Sequence, residues 1–194
     1  MSNVKLNVSK INLNYFVGLD LSLTGTGLTV LEYEAKESIY GSKHEPILKL
    51  YKSKLVETKP TTLMEQRYLI IWNEISFIEK IRYCGGIYIE GLSYASTGSK
   101  FAELAGLHYF IRTKLIESNQ NFDIIPPTTL KKYVTGKGNS NKNIMIKEIY
   151  KKWNVDFNDD NLADSYALAR MSFEKWGKDN DRKSIDEGVD LQSQ

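Results

Sequence analysis

Cysteine is nearly absent. Cys84 is the only one in 194 residues, so no disulfide can form within the chain and no cysteine-based zinc site can be assembled. It sits in the run IRYCGGIYIE, where a free thiol reads as a small buried hydrophobe. Histidine is equally scarce: His44 falls in a polar turn and His108 in a helical pattern. Neither has a metal-ligand partner nearby, so both read as structural. No apolar run approaches the roughly 20 residues of a membrane span. The opening MSNVKLNVSKINLNYF lacks the apolar centre and small-residue cleavage site of a secretion signal. These absences exclude a disulfide scaffold, a cysteine-type zinc protein and a membrane protein. A cytoplasmic protein is the expectation that remains.

What is present is enough chain for one α/β domain with a real core. The formal net charge of +2 hides an asymmetry. Residues 129–152 carry seven lysines (131, 132, 137, 142, 147, 151 and 152) against the single acid Glu148. Residues 156–164, DFNDDNLAD, carry four aspartates and no base. A basic stretch beside an acidic knot suits an enzyme that cleaves phosphate esters, since lysines hold the polyanion and carboxylates hold a metal.

The hydrophobic pattern predicts a buried strand over residues 14–24. The chain then turns on Gly25 and Gly27, and alternating strands follow at TVLEYE and ILKLYKSKLVET. Short connections make these three an antiparallel meander. Lys59-Pro60-Thr61-Thr62 breaks the chain and caps a helix over 62–82. GGIYIEGL is a fourth strand, parallel to the first because a helix leads to it. A flexible loop, SYASTGS, is followed by the helix KFAELAGLHYFIRTKLIES, rich in small residues on one side. FDIIPPTT is a fifth strand, and helices follow at TLKKYV, at 141–153 and from Asp160 to about Trp176. The expected fold is therefore α/β: one five-stranded mixed sheet, three strands antiparallel and two parallel, with helices on both faces. The expected domain covers residues 1–176. Residues 177–194, polar and aperiodic, read as a disordered tail.

Two of the buried runs each carry one acid: Asp20 in the middle of the first strand and Glu90 near the end of the fourth. Unpaired carboxylates in a half-buried site repel one another and cost several kcal/mol of desolvation. A hard divalent cation with oxygen ligands reverses that cost. The acidic knot can supply the remaining ligands. Asp160 and Asp164 stand four apart and Asn161 and Asp164 three apart, on one face at the start of a helix. Such a set can hold metals that activate a water and stabilise the leaving oxygen of a phosphodiester. For Asp164 alone, a helix N-terminal charge favoured by the dipole explains the residue as well.

These residues also carry a resemblance. GLDLSLTGTG resembles the first motif of RuvC-type Holliday junction resolvases, which have a ribonuclease H-like fold. IYIEGLSYAS is similar to the second motif, PPTTLKKYVTGKGNSNKNIM to the basic segment and NLADSYALA to the last motif. All four occur in order across residues 15–173. The resemblance implies catalytic, metal-binding carboxylates at Asp20, Glu90 and Asp164. The family's fourth acidic position falls on Asn161, a departure, and Asp160 beside it is the alternative. The family's basic positions fall on Lys131 and Lys142, with Lys132 and Lys137 as helpers. Gly136 and Gly138 would let backbone approach the DNA. Tyr94 is the nearest match to an aromatic that stacks on junction bases.

The resemblance further implies a homodimer on a four-way DNA junction. Each subunit would use two Mg²⁺ ions, with Mn²⁺ as a substitute and no nucleotide cofactor. The helix FAELAGLHYF would lie at the dimer face, and paired nicks would leave 5′-phosphate and 3′-hydroxyl ends. Three other readings stay open at this point. DLSLTGTG also looks like the phosphate turn of actin-like sugar kinases, although no second Gly-rich phosphate loop accompanies it. A resolvase-like module that binds junctions without cutting is permitted by Asn161. A nuclease for branched DNA in general would keep the chemistry and change the substrate.

Overall fold

The computed structural model describes residues 12–35, 47–80, 84–92 and 98–190. Its strands are β1 (Asn12–Asp20), β2 (Gly25–Ala35), β3 (Ile47–Glu57), β4 (Cys84–Glu90) and β5 (Phe122–Ile125). They form one sheet in the order β3-β2-β1-β4-β5. β1–β2 and β2–β3 pair antiparallel, and β1–β4 and β4–β5 pair parallel. This is the expected mixed sheet. The helices are α1 (Met64–Ile75, continued by a 3₁₀ turn over Ser76–Lys80), α2 (Ser99–Glu117), α3 (Pro127–Thr135), α4 (Lys142–Trp153) and α5 (Asp160–Asp190).

Two cores sandwich the sheet, and the alternation of strand side chains divides β1 between them. Val17 and Leu19 pack with Ile71, Ile75, Leu107 and Ile111 of α1 and α2. Phe16 packs on the other face with Leu130, Ile149, Tyr166 and Leu168 of α3, α4 and α5. Gly18 and Asp20 share the Phe16 face by the same period of two. On β4, Tyr88 belongs to the α5-side core while Ile87 and Ile89 belong to the other. Glu90 therefore also faces α5.

α5 lies unusually close to the sheet because glycines and alanines allow it. A Cβ on Gly18 would overlap the Ser165 carbonyl oxygen and crowd the Ala169 nitrogen, and one on Gly27 would overlap the Asn161 carbonyl oxygen. Ala163, Ala167 and Ala169 are fully buried in the contact. A buried hydrogen bond between the hydroxyls of Thr29 on β2 and Ser165 on α5 (2.8 Å) fixes the register of helix on strand. Gly27 thus serves packing rather than the turn that the sequence suggested.

Four local expectations change. Asp20 is the last residue of β1, not its middle, because the chain turns at Ser22 to begin β2. The α1 cap falls on Leu63 without a side-chain acceptor; Thr62 closes a turn onto Lys59 instead. Gly136 takes a left-handed conformation (φ 79°) at the end of α3 and donates its N–H to the Lys132 carbonyl, a helix-ending role that needs glycine. α5 continues past Trp176 to Asp190. Apolar periodicity reports only the part of a helix that packs, so it missed the extension. Charge pairs at helical spacing, such as Lys175 with Asp179 (3.3 Å), support a helix without an apolar stripe. Among the described residues no helix is long and apolar enough to cross a membrane.

The close approach makes one substitution act with opposite signs along the chain. Gly18→Ala forces backbone apart and should destabilise by about 1–3 kcal/mol or more. Gly177→Ala, in α5 with nothing within 4 Å of the added methyl, should stabilise by about 0.5–1 kcal/mol. Denaturant unfolding of both variants checks the pair; a silent Gly18→Ala would refute the tight docking of α5.

Candidate metal centre and its basic flank

The parallel register sets Leu19 beside Ile89, so the next residues, Asp20 and Glu90, end adjacent strands at the same edge. Above them α5 begins. Asp164 lies one turn before Leu168, whose Cβ would crowd a side chain at Gly18. The result is a three-carboxylate cluster: one oxygen from each of Asp20, Glu90 and Asp164 lies within 4.8 Å of the other two. Asp20 is buried, only 8% exposed, and the other two are half-buried. Residues from β1, β4 and α5 thus meet although they are far apart in the sequence.

Burial pushes all three carboxyls above the ordinary carboxylate range. Asp20 is held well above it by burial, then by the charges of Glu90 and Asp164. Glu90 is raised by burial, against a hydrogen bond with Asp20 and the pull of Lys131 and Lys142. Asp164 is pushed up to about 7 by burial and then by Glu90, again opposed by Lys131 and Lys142. Both lysines therefore act on the cluster from nearby. All donors are hard oxygens, and the set suits a hard divalent cation.

The four aspartates of the acidic knot divide their work. Asp159 caps α5 by accepting the Leu162 N–H (3.0 Å). Asp160 forms an ion pair with Lys142 and is not in the carboxylate cluster. Asp164 enters the cluster. Asp156 is exposed. Asn161, at the family's fourth position, donates its amide N–H to the Gly25 carbonyl (2.7 Å). A carbonyl can only accept, so the amide nitrogen is committed to β2. Lys131 is half-buried, and Lys132, Lys137 and Lys142 are exposed. Tyr94 lies outside the described residues.

Sequence reasoning missed Arg67. It is buried on α1 and reaches the turn that follows Asp20. Its Nε donates to the Thr58 hydroxyl (2.8 Å) and its terminal nitrogen to the Leu23 carbonyl (2.6 Å). The Thr58 hydroxyl donates to the same carbonyl. The Thr26 hydroxyl closes the turn by donating to the Ser22 carbonyl (2.7 Å). The available signal was position: Arg67 falls on the same helical stripe as Ile71 and Ile75, where a charge needs a reason.

Against this geometry stands a sequence match of 28% identity over 156 residues to the crossover junction endodeoxyribonuclease RuvC of Brachyspira hyodysenteriae, covering 79% of this chain and 89% of the relative. The chain is a homologue of the RuvC Holliday junction resolvases. No family model matches it. Among solved structures, RuvC of Thermus thermophilus aligns with a TM-score of 0.65 at 16% identity, over 86% of this chain and 97% of the other. The same protein bound to a Holliday junction substrate aligns at 0.63 and 16%, over 81% and 90%. The Fowlpox virus resolvase in complex with Holliday junction DNA aligns at 0.51 and 14%, over 84% and 99%. These structures share the fold, the ribonuclease H-like mixed sheet that RuvC homology predicts.

The raised carboxyl values fix a sign for stability. Between the ordinary carboxylate value and about 7, the folded metal-free chain holds a proton on Asp164 that the unfolded chain has lost. Its stability therefore falls as pH rises through that window. Asp164→Asn should melt higher than wild type at pH 8 without metal, and the gap should close near pH 4. Millimolar Mg²⁺ at pH 8 should raise the melting temperature of wild type more than that of the variant. A variant less stable than wild type at pH 8 would contradict the cluster's electrostatics.

Proposed function

We propose that this chain is a structure-selective endonuclease that resolves four-way DNA junctions by paired nicks leaving 5′-phosphate and 3′-hydroxyl ends. The observation that carries the reading is the cluster of Asp20, Glu90 and Asp164 flanked by Lys131 and Lys142 in a homologue of an enzyme named for cutting crossover junctions. Two structures of the same fold contain Holliday junction DNA, which supports a four-way junction as the substrate.

The residues present fit a divalent ion: three hard oxygen donors converge, and they repel and hold protons without a cation. Asp20, Glu90 and Asp164 would hold Mg²⁺, as a pair of ions with Mn²⁺ as a substitute, and Asn161 offers an amide oxygen. When bound, such ions lower the pKa of a water and neutralise charge on the phosphate being cut. The chain's own cations hold the substrate. Lys131 and Lys142 take the phosphates next to the cut, and Lys132 and Lys137 extend that grip. Asp160 keeps Lys142 beside the cluster rather than serving as a ligand. Arg67 fixes the Ser22–Gly25 turn, and with it the end of β1 that carries Asp20. Tyr94 is the proposed stacking partner for an unpaired junction base.

Two such sites, in a homodimer, place one cut on each of two opposing strands. The small-residue side of α2 is the proposed face for the second copy, although Gly106 on it already packs against the Tyr68 ring of α1. A module that binds without cutting would have no use for three mutually repelling acids, and would gain stability by losing one.

Asp20→Asn should abolish nicking of a labelled four-way junction in Mg²⁺ while leaving its affinity intact; near-wild-type cutting would remove Asp20 from the site. Lys131→Ala and Lys142→Ala should each lower the slope of log K against log salt by about 0.9, and an unchanged slope would remove that lysine from the interface. Asn161→Ala, which loses the tie to Gly25, should slow cutting more than Asp160→Ala. The reverse order would make Asp160 the fourth ligand. Strand mapping of the products checks that the nicks are symmetric.

A further inference from the structure

α4 carries a surface that the site does not use. Its apolar side is committed to the core through Met145 and Ile149, both buried. Opposite them lies Lys147, surrounded at i−4, i−3, i+3 and i+4 by Asn143, Ile144, Tyr150 and Lys151, all exposed. Ile144 is 43% and Tyr150 52% exposed, an apolar and an aromatic side chain left in water on a face of lysines. The ordinary explanation of a charged helix face, alternating ion pairs, accounts for only part of it. Lys151 pairs with Glu148 (2.6 Å), whereas Lys147 acts on Glu148 only through its charge and forms no close ion pair among the described residues. Lys152 is used internally, donating to the Tyr133 carbonyl (2.9 Å).

The helix also starts in a telling place. Its first residue, Lys142, pairs with Asp160 and acts on all three clustered carboxyls. At 1.5 Å per residue, Lys147 lies about 7.5 Å and Lys151 about 13.5 Å farther along the axis. Successive phosphates of one strand advance about 3.4 Å along a duplex. The spacing corresponds to about two and about four base pairs.

We infer that the outward face of α4, centred on Lys147 and Tyr150, is a track for one duplex arm of the DNA, holding backbone phosphates about two to four base pairs from the cut. Lys147 takes a phosphate directly. Tyr150 and Ile144 cover sugar and backbone beside it, and Lys151 exchanges Glu148 for a second phosphate. This inference rests on the endonuclease reading and extends it from the scissile phosphate to the arm.

The test is binding of the full chain to four-way junctions without divalent metal, at several salt concentrations. The junctions carry a single neutral methylphosphonate at successive positions from the cut. Lys147→Ala should lower the salt slope by about 0.9, and Lys147→Arg should restore it. One methylphosphonate, two to four base pairs out, should weaken wild type and leave Lys147→Ala without further loss. Equal losses for wild type and Lys147→Ala at every position, or a wild-type slope in Lys147→Ala, overturn the track. The endonuclease reading is scored separately: wild type that binds but never cuts in Mg²⁺ overturns that reading, while the methylphosphonate map still decides the fate of the track.

Discussion

The structure depends on how closely the first turns of α5 lie on β1 and β2. A helix packed through ordinary side chains stands farther from a sheet, which would hold an aspartate on it away from acids at strand ends. Here Gly18 and Gly27 leave room for helix backbone, and Ala163, Ala167 and Ala169 present no bulk of their own. The Thr29–Ser165 and Asn161–Gly25 hydrogen bonds then lock the helix in register. The motif NLADSYALA is a packing device as much as a chemical one, since its small residues bring its single clustered carboxylate within reach of the other two.

The same closeness creates the electrostatic problem. Three carboxyls share a half-buried space, each raised by burial and two of them by a neighbour's charge as well. The fold tolerates this because the cores on both sides of the sheet are extensive. Lys131 and Lys142 relieve part of the repulsion without closing the site, because each comes from an element outside the sheet and reaches it from the rim. A cluster that is unfavourable alone and favourable with cations is matched to a reaction in which negative charge must be gathered and then neutralised.

The sheet was legible in the sequence because its central strands are buried on both faces and read as near-continuous apolar runs interrupted by single acids. Asp20 and Glu90 stood out for that reason, and the parallel connection through a helix put them at one edge. Asp164 was legible as one of several acids in the knot, and only the motif singled it out, since an aspartate near a helix start is common for dipole reasons alone. The separate duties of Asp159, Asp160 and Asp164 could not be read from spacing. They follow from the way α4 and α5 start side by side, which is a tertiary fact. Arg67 was hidden in an apolar helix, and the extension of α5 beyond Trp176 was hidden because it has no apolar period. Gly27 and Gly136 were recognised as special residues, but their reasons, helix approach and a left-handed helix end, came from the structure.

Lys142 joins these strands of argument. As the first residue of α4 it places a cation at the positive end of a helix dipole, an arrangement that costs about 0.3–1 kcal/mol and that no acid in that turn offsets. Asn141 caps the helix by accepting the Ile144 N–H (3.0 Å), which stabilises the turn but leaves the charge. The compensation comes from the neighbouring helix start, through Asp160. Two helix N-termini, one opening with a lysine and one with an aspartate, thus converge beside the carboxylate cluster. Lys142 is held there by a single exposed ion pair, a contact weak enough to exchange for another anion. The cost at α4 is thus met from outside the helix by Asp160, and the same exchange would let Lys142 turn from Asp160 to a nucleic-acid phosphate, as the proposed function requires.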